Sequence, residues 1–265
     1  MTLRIGYLTD LHLRMNIPGH SPAPKRHCRR VAALLPRALE RLRRAAPDLL
    51  VCTGDLVDAP TEAIVADRDA PGVEEDMRYV RQQLDRCGIP YIALPGNHDP
   101  LPDAFYRVFP RPPRVTRLNG CRVVSFHEDA YVGGEPPCTR SDEALGELAA
   151  LFSAADDPAR RTDSDTPEAT VTLQHYTIYP DLNEGYPHNY GNDAEIRAAM
   201  EAAREPVVAI CGHYHLGVPL VQENDVWYWG GKAFCEGVHP IYIIEISGDG
   251  VSIEAIEVGK AIQCP

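Results

Sequence analysis

The chain has 265 residues, a formal net charge of −12, 44% hydrophobic residues and 24% charged residues. That make-up fits a globular protein long enough to bury a core without disulfides. The acidic balance argues against a generic nucleic-acid binder, which carries a basic face, but it leaves anionic substrates open, because bound metal ions reverse the local sign of a site.

Leu3 to Thr9 is an expected strand that runs straight into Asp10. Residues 13–27 form a loop with Pro18, Gly19, Pro22 and Pro24, and Cys28 to Ala46 is an expected helix that Pro36 should kink or restart. Asp48 to Thr53 is a short apolar strand before Gly54-Asp55, and residues 58–71 are irregular. Val73 to Cys87 has the pattern of an amphipathic helix with Gly88 as its cap. Pro90 to Leu94 is a strand before Gly96-Asn97-His98-Asp99. Cys121 to Phe126 and Ala169 to Gln174 are strands, and Ser141 is the expected N-cap of a helix reaching about Ser153. The stretch 154–168 is polar and is expected to be a surface loop. Asp193 to Arg204 is a helix, and Val207 to Cys211 is a strand before Gly212-His213. Strands follow near Val226–Trp229, Ile241–Ile246 and Val251–Val258, the last two joined by a Gly248-Asp249-Gly250 hairpin turn. No repeat or linker interrupts this order, so residues 1–265 are expected to form a single domain.

Eight cysteines, at 28, 52, 87, 121, 138, 211, 235 and 264, make no C-x-x-C pair and no disulfide framework. They are expected to be reduced and structural. No apolar run approaches the roughly 18 residues of a membrane span, and residues 1–10 lack the pattern of a secretory leader. The expectation is a cytoplasmic protein with no membrane partner.

The polar residues fall at strand ends. Five apolar strands lead respectively to Asp10-x-His12, Gly54-Asp55, Gly96-Asn97-His98-Asp99, His175 and Gly212-His213-x-His215. In open α/β sheets a site forms beyond the carboxyl ends of strands, so these five ends should meet on one rim. Imidazole and carboxylate together suit transition metals better than calcium. Asp10 and His12, two apart in an extended chain, should point to one side, as should His213 and His215. Gly54, Gly96 and Gly212 let the backbone come close to an ion. Each piece alone is weak evidence; the full set in this order is not.

These blocks resemble the five-block signature of the calcineurin-like metallophosphoesterases, spanning residues 10–215 with none missing. The resemblance implies an α/β fold, a four-layer αββα sandwich of two mixed sheets flanked by helices. It implies two divalent or trivalent transition-metal ions, with Mn, Fe and Zn fitting the ligand set about equally. One ion would take Asp10, His12, Asp55 and His215; the other would take Asp55, Asn97, His175 and His213, with Asp55 bridging. His98 would face the leaving-group oxygen, and Asp58, spaced as in the phosphoprotein-phosphatase branch, would orient it. That branch carries an Arg after this Asp, where Ala59 stands here.

The implied function is phosphoester hydrolysis of a small-molecule phosphomonoester or phosphodiester, by attack of a hydroxide shared between two ions. A cyclic-nucleotide phosphodiesterase is the alternative, since the Gly-Asn-His-Asp block resembles that branch, although its short-loop pattern is absent. A non-catalytic scaffold is a remote alternative that the intact ligand set opposes. Three loops could shape the pocket. Residues 13–27 bear Arg14, Asn16, His20, Lys25, Arg26 and His27. Residues 176–192 bear Tyr176, Tyr179, Asn183, Tyr186, His188, Asn189 and Tyr190. Residues 231–239 bear Lys232 and His239. Asn97, His98, Tyr176, Tyr186 and His188 are the candidate substrate contacts, and His20, His27, His127, His188 and His239 read as ordinary surface or supporting residues rather than extra metal ligands.

Overall fold

The computed structural model describes residues 2–127, 138–153, 167–183, 185–247 and 250–259. Strands β1 (Leu3–Leu8), β2 (Leu49–Cys52) and β3 (Tyr91–Ala93) run parallel, each completely or almost completely buried. With β10 (Pro240–Ser247) and β11 (Gly250–Glu257) they form a five-stranded sheet in the order β11-β10-β1-β2-β3. The second sheet is built from β4 (Val115–Leu118), β5 (Cys121–Ser125), β6 (Thr170–Leu173), β7 (Val207–Cys211), β8 (Val218–Glu223) and β9 (Val226–Gly230). Its order is β4-β5-β6-β7-β9-β8, with β5, β6, β7 and β9 parallel.

Alternation along the strands assigns each residue to a layer. Ile5, Tyr7, Val51 and Ile92 meet Val171, Leu173, Val208 and Ile210 in the core between the sheets. Leu8, Leu50, Cys52 and Ala93 point the other way, against α1 (Val31–Ala45), α3 (Val73–Cys87) and α4 (Pro102–Val108). Val124, Val207 and Ala209 face outward from the second sheet, against α5 (Asp142–Ser153) and α6 (Asp193–Glu201). The result is two mixed sheets flanked by helices. Among the described residues no helix is long and apolar enough to cross a membrane.

Pro36 does not restart the first helix: a 3-10 turn at Cys28–Arg30 leads into α1, which runs through the proline. Proline removes the N–H that would reach the carbonyl four residues back, and that carbonyl, on Ala32, instead accepts the Tyr79 hydroxyl at 2.6 Å. A neighbouring helix supplies the missing donor. The stretch 58–71 contains the short helix α2 (Thr61–Val65), and α4, β4 and β8 were also not anticipated; the two helices are under two turns, and the two strands are half-exposed sheet edges without a continuous apolar run. Ser141 caps α5 through its Oγ, which accepts from the Ala144 N–H at 3.2 Å, and Gly88 ends α3 with φ 74°. The expected loop at 154–168 lies almost wholly outside the described residues, as do Gly248 and Asp249 of the expected hairpin turn. The seven described cysteines are all buried, and Cys28, Cys52, Cys87, Cys121, Cys211 and Cys235 are free thiols.

Candidate active site

Parallel strands bring their carboxyl ends to one rim. The segments after β1 and β2 stay zipped together: Asp10 N–H donates to the Gly54 carbonyl at 3.1 Å, and His12 N–H donates to the Asp55 carbonyl at 2.8 Å. The expectation that Asp10 and His12 sit in extended chain needs correction. Their φ angles are 53° and 44°, and Asp55 and His213 have φ of 54° and 64°. Four non-glycine residues at the centre of one site in the left-handed region is a costly arrangement that persists where the surroundings over-determine it. The side chains converge because the backbone turns at each of them.

The first group of donors is Asp10, His12, Asp55 and His215. His12 Nε2 lies 3.1 Å from His215 Nε2 and 3.3 Å from Asp55 Oδ2, and His215 Nε2 lies 3.5 Å from Asp10 Oδ1. The second group is Asp55, His175 and His213, joined by Asn97, whose Oδ1 is 3.0 Å from His175 Nε2. Asp55 belongs to both: Oδ1 is 3.5 Å from His175 Nε2 while Oδ2 faces His12. All seven sequence-predicted ligands are thus brought together. Asp10 Oδ1 and His213 Nε2 are buried without a hydrogen-bond partner. Orphaned buried polar atoms are rare, and a carboxylate oxygen and an imidazole nitrogen are what a transition-metal ion would satisfy. The residues fit the metal ions that the blocks imply.

Glycine makes this closeness possible. A Cβ on Gly96 would lie 2.5 Å from the Asp55 amide nitrogen and 2.7 Å from His175 Cε1, and one on Gly54 would meet His175 Nδ1 at 2.5 Å. Asp99, buried, accepts from the amides of Gly96, Leu56 and Val57 at 2.9, 3.1 and 2.9 Å. It locks the turn after β3 to the turn after β2. Burial and the Asp55 charge push its carboxyl up to about 7.

Two imidazoles are oriented from behind, as metal-ligating histidines usually are. His175 Nδ1 donates to the Thr53 carbonyl at 2.6 Å, and His215 Nδ1 donates to Glu236 Oε1 at 2.7 Å. Burial lowers His12 to about 4 and holds His213 well below its ordinary value. Burial also opposes charge on His175 and His215, but Asp55 raises the first to about 9, and Asp10 with Glu236 raises the second to about 9. The Asp55 carboxyl is buried, yet His175, His98 and His12 hold it well below the ordinary carboxylate range.

His98 and Asp58 flank the first group. His98 Nδ1 is 3.0 Å from Asp58 Oδ1, which also lies 3.3 Å from His12 Nδ1. Arg14 holds the other oxygen, its Nε 3.1 Å from Asp58 Oδ2. Of the predicted substrate contacts, Tyr186 is exposed, with its ring tilted by 57° and 5.0 Å from that of His188, whose ring is 5.4 Å from His213. Tyr176 is different. It is 2% exposed, with its ring 5.1 Å from His175 and 4.8 Å from His213. It packs beneath the imidazoles and has no surface to offer a substrate, which corrects that expectation. Asn189 is buried too and pins the loop by donating to the carbonyls of Ile178 and Pro180 at 3.1 and 3.0 Å.

Sequence reasoning did not single out Glu236 or Cys235, gave Asp99 no role, and named Arg14 and Arg26 only among the residues of their loop. Cys235 places its sulfur within reach of the His12 and His215 donor atoms. Glu236 and Cys235 follow the last block with no spacing signal; chain folding alone brings them to the site.

A model of the calcineurin-like phosphoesterase family matches residues 3–217, most of the chain. The chain belongs to the calcineurin-like phosphoesterase family. A Synechococcus sp. protein named "Probable cyclic nucleotide phosphodiesterase" is 30% identical to this phosphoesterase over 138 residues. That match covers 49% of this chain and 45% of the relative, so the phosphoesterase aligns with less than half the length of the curated relative. Among solved structures, a dimetal phosphatase from Danio rerio superposes with a TM-score of 0.67 at 13% identity, over 97% of this chain and 99% of that one. The TT1561 protein of Thermus thermophilus does so with a TM-score of 0.56 at 14% identity, over 97% and 100%. At such identities the likeness is one of fold. Family and fold agree: the matched family model and the superposed structures describe the same two-sheet architecture.

Proposed function

We propose that the protein hydrolyses a small-molecule phosphomonoester or phosphodiester with two transition-metal ions. The observation that carries this reading is the division of the Asp55 carboxylate, with Oδ2 3.3 Å from His12 Nε2 and Oδ1 3.5 Å from His175 Nε2. In this reading Asp10, His12, Asp55 and His215 hold one ion, and Asp55, Asn97, His175 and His213 hold the other. Bound ions supply Lewis acidity, lowering the pKa of water and polarising the phosphoryl group.

The chain's own residues do the rest. Glu236 and the Thr53 carbonyl fix the rings of His215 and His175, so that Nε2 of each faces the centre. Asp58 orients His98 through Nδ1, which leaves Nε2 directed to the leaving oxygen as a proton donor or hydrogen-bond partner. The His98 backbone N–H donates to Asp55 Oδ1 at 2.7 Å, tying the leaving-group residue to the shared carboxylate. The exposed Tyr186 ring beside His188 offers a flat apolar face to the organic part of the substrate.

A second reading is a cyclic-nucleotide phosphodiesterase. The named Synechococcus relative favours it, and Tyr186 with His188 suits a nucleobase. The test is to load the protein with manganese, count ions, and assay aryl mono- and diesters beside a panel of cyclic nucleotides. Metal-dependent turnover with two ions per chain supports the reading. Fewer than one ion per chain, or no turnover of any ester, sinks it.

A further inference from the structure

Two guanidinium groups from the 13–27 loop reach Asp58, and they are used differently. Arg14 is committed. Its Nε lies 3.1 Å from Asp58 Oδ2, and Nε and Nη2 donate to the Asp58 carbonyl at 3.3 and 3.2 Å. Arg26 is not. Its Nη1 is 3.6 Å from Asp58 Oδ1, an oxygen already shared by His98 at 3.0 Å and His12 at 3.3 Å. Nη1 also lies against two ring nitrogens, His98 Nε2 at 3.4 Å and His12 Nδ1 at 3.5 Å. Its Nε is buried with no hydrogen-bond partner, and the side chain is only 16% exposed.

A largely buried cation whose ion pair is long, to an oxygen shared with two imidazoles, is incompletely compensated, and that is costly. An incoming anion would relieve that cost. The position says where the anion sits. His98 Nε2 is the ring atom opposite Asp58 and lies 3.4 Å from Arg26 Nη1, so a phosphoryl group whose ester oxygen meets that nitrogen comes within reach of Arg26 Nη1. A phosphomonoester brings three terminal oxygens and close to two negative charges at neutral pH. A diester has one terminal oxygen fewer and a single charge, and its extra ester oxygen is a poor partner for a guanidinium.

We propose that Arg26 contacts a terminal phosphoryl oxygen of the substrate and biases the site toward phosphomonoester dianions over phosphodiester monoanions. The inference rests on the phosphoester-hydrolase reading above. It narrows that reading to a substrate class and sets it against the cyclic-nucleotide alternative.

The experiment uses the full chain, metal-loaded, as wild type, Arg26→Gln and Arg26→Lys. It reads kcat/KM for 4-nitrophenyl phosphate and bis(4-nitrophenyl) phosphate, the binding of inorganic phosphate by calorimetry, and metal content. In Arg26→Gln the monoester kcat/KM should fall about 100-fold and the diester less than about tenfold, with phosphate affinity down about tenfold. Arg26→Lys should lie between, keeping the charge but losing the planar fork. Equal losses on both esters, or unchanged phosphate affinity at full metal content, would overturn the proposal and leave Arg26 a structural residue. If Arg26→Gln loses metal, Arg26→Lys decides: a monoester-to-diester ratio equal to wild type overturns it. If the wild type hydrolyses neither ester, the hydrolase reading fails by itself, and phosphate calorimetry still decides whether Arg26 binds phosphate.

Discussion

Asp58 Oδ1 lies 3.0 Å from His98 Nδ1, a contact between two turns that follow different strands of one sheet. The same oxygen lies 3.3 Å from His12 Nδ1, so one carboxylate contacts both the proposed leaving-group residue and a proposed metal ligand. His98→Ala should therefore lower kcat by about 10²–10⁴-fold with metal content intact. Asp58→Asn should do both harms, lowering kcat and weakening metal affinity about 10–100-fold. Metal analysis beside steady-state kinetics separates the two. An Asp58→Asn enzyme with wild-type metal affinity would remove His12 from the account.

Replacing Asp55 by Ala should cost both ions, because its two oxygens face different donor groups. Atomic absorption on the purified, manganese-loaded variant checks this. Retention of one ion at full occupancy would show that the groups are independent.

Metal uptake should depend on pH with a definite sign. His175 and His215 are both raised to about 9 by neighbouring carboxylates that outweigh burial. Each carries a proton at pH 7 in the metal-free protein, and a ligating imidazole must lose it. Affinity should rise as pH climbs toward about 9 and then level off. Calorimetric titrations at pH 7 in two buffers of different ionisation heat should read proton release on binding, and the release should vanish near pH 10. Buffer-independent heats at pH 7 would contradict the assignment.

Gly96→Ala should damage the site by sterics alone. The new Cβ would press on Asp55 and His175, and overpacking of this kind costs about 1–3 kcal/mol. The expected readout is a lower melting temperature together with loss of the ion held by His175. A variant with wild-type melting and two ions would mean that the turn can shift.

Tyr79→Phe should destabilise by about 1 kcal/mol, lowering the melting temperature by about 2–4 °C, because the Ala32 carbonyl loses the donor that compensates for Pro36. In a Pro36→Ala background, where position 36 supplies its own N–H to that carbonyl, the same change should cost much less. Additive losses across this cycle would rule out the compensation.

The ligand types were legible because the chemistry demands them at strand ends, and strand ends are written locally as an apolar run followed by Gly and a polar block. β7 and α3 match their sequence expectations residue for residue, since each has a strong period or a clear cap. α2 is little more than one turn, and β8 is an edge strand with a mostly half-exposed face, so neither carries the continuous apolar run that marks the shorter but fully buried β7. Tyr176 and Tyr186 sit in one loop and look alike in sequence; only packing tells that the first lies under His213 and the second is open to solvent.

What the sequence alone determined is a set of donors in a fixed order along parallel strands, and with it a family and a class of chemistry. The tertiary structure decided the rest. It turned Asp10, His12, Asp55 and His213 through the left-handed region, divided Asp55 between two groups, and brought Glu236 to His215 and Arg26 to His98. The physical reason is one of range. A strand end is a local event with a local signature, whereas these contacts join residues 21 and 72 positions apart, and no periodicity or spacing along the chain encodes a meeting that packing alone enforces.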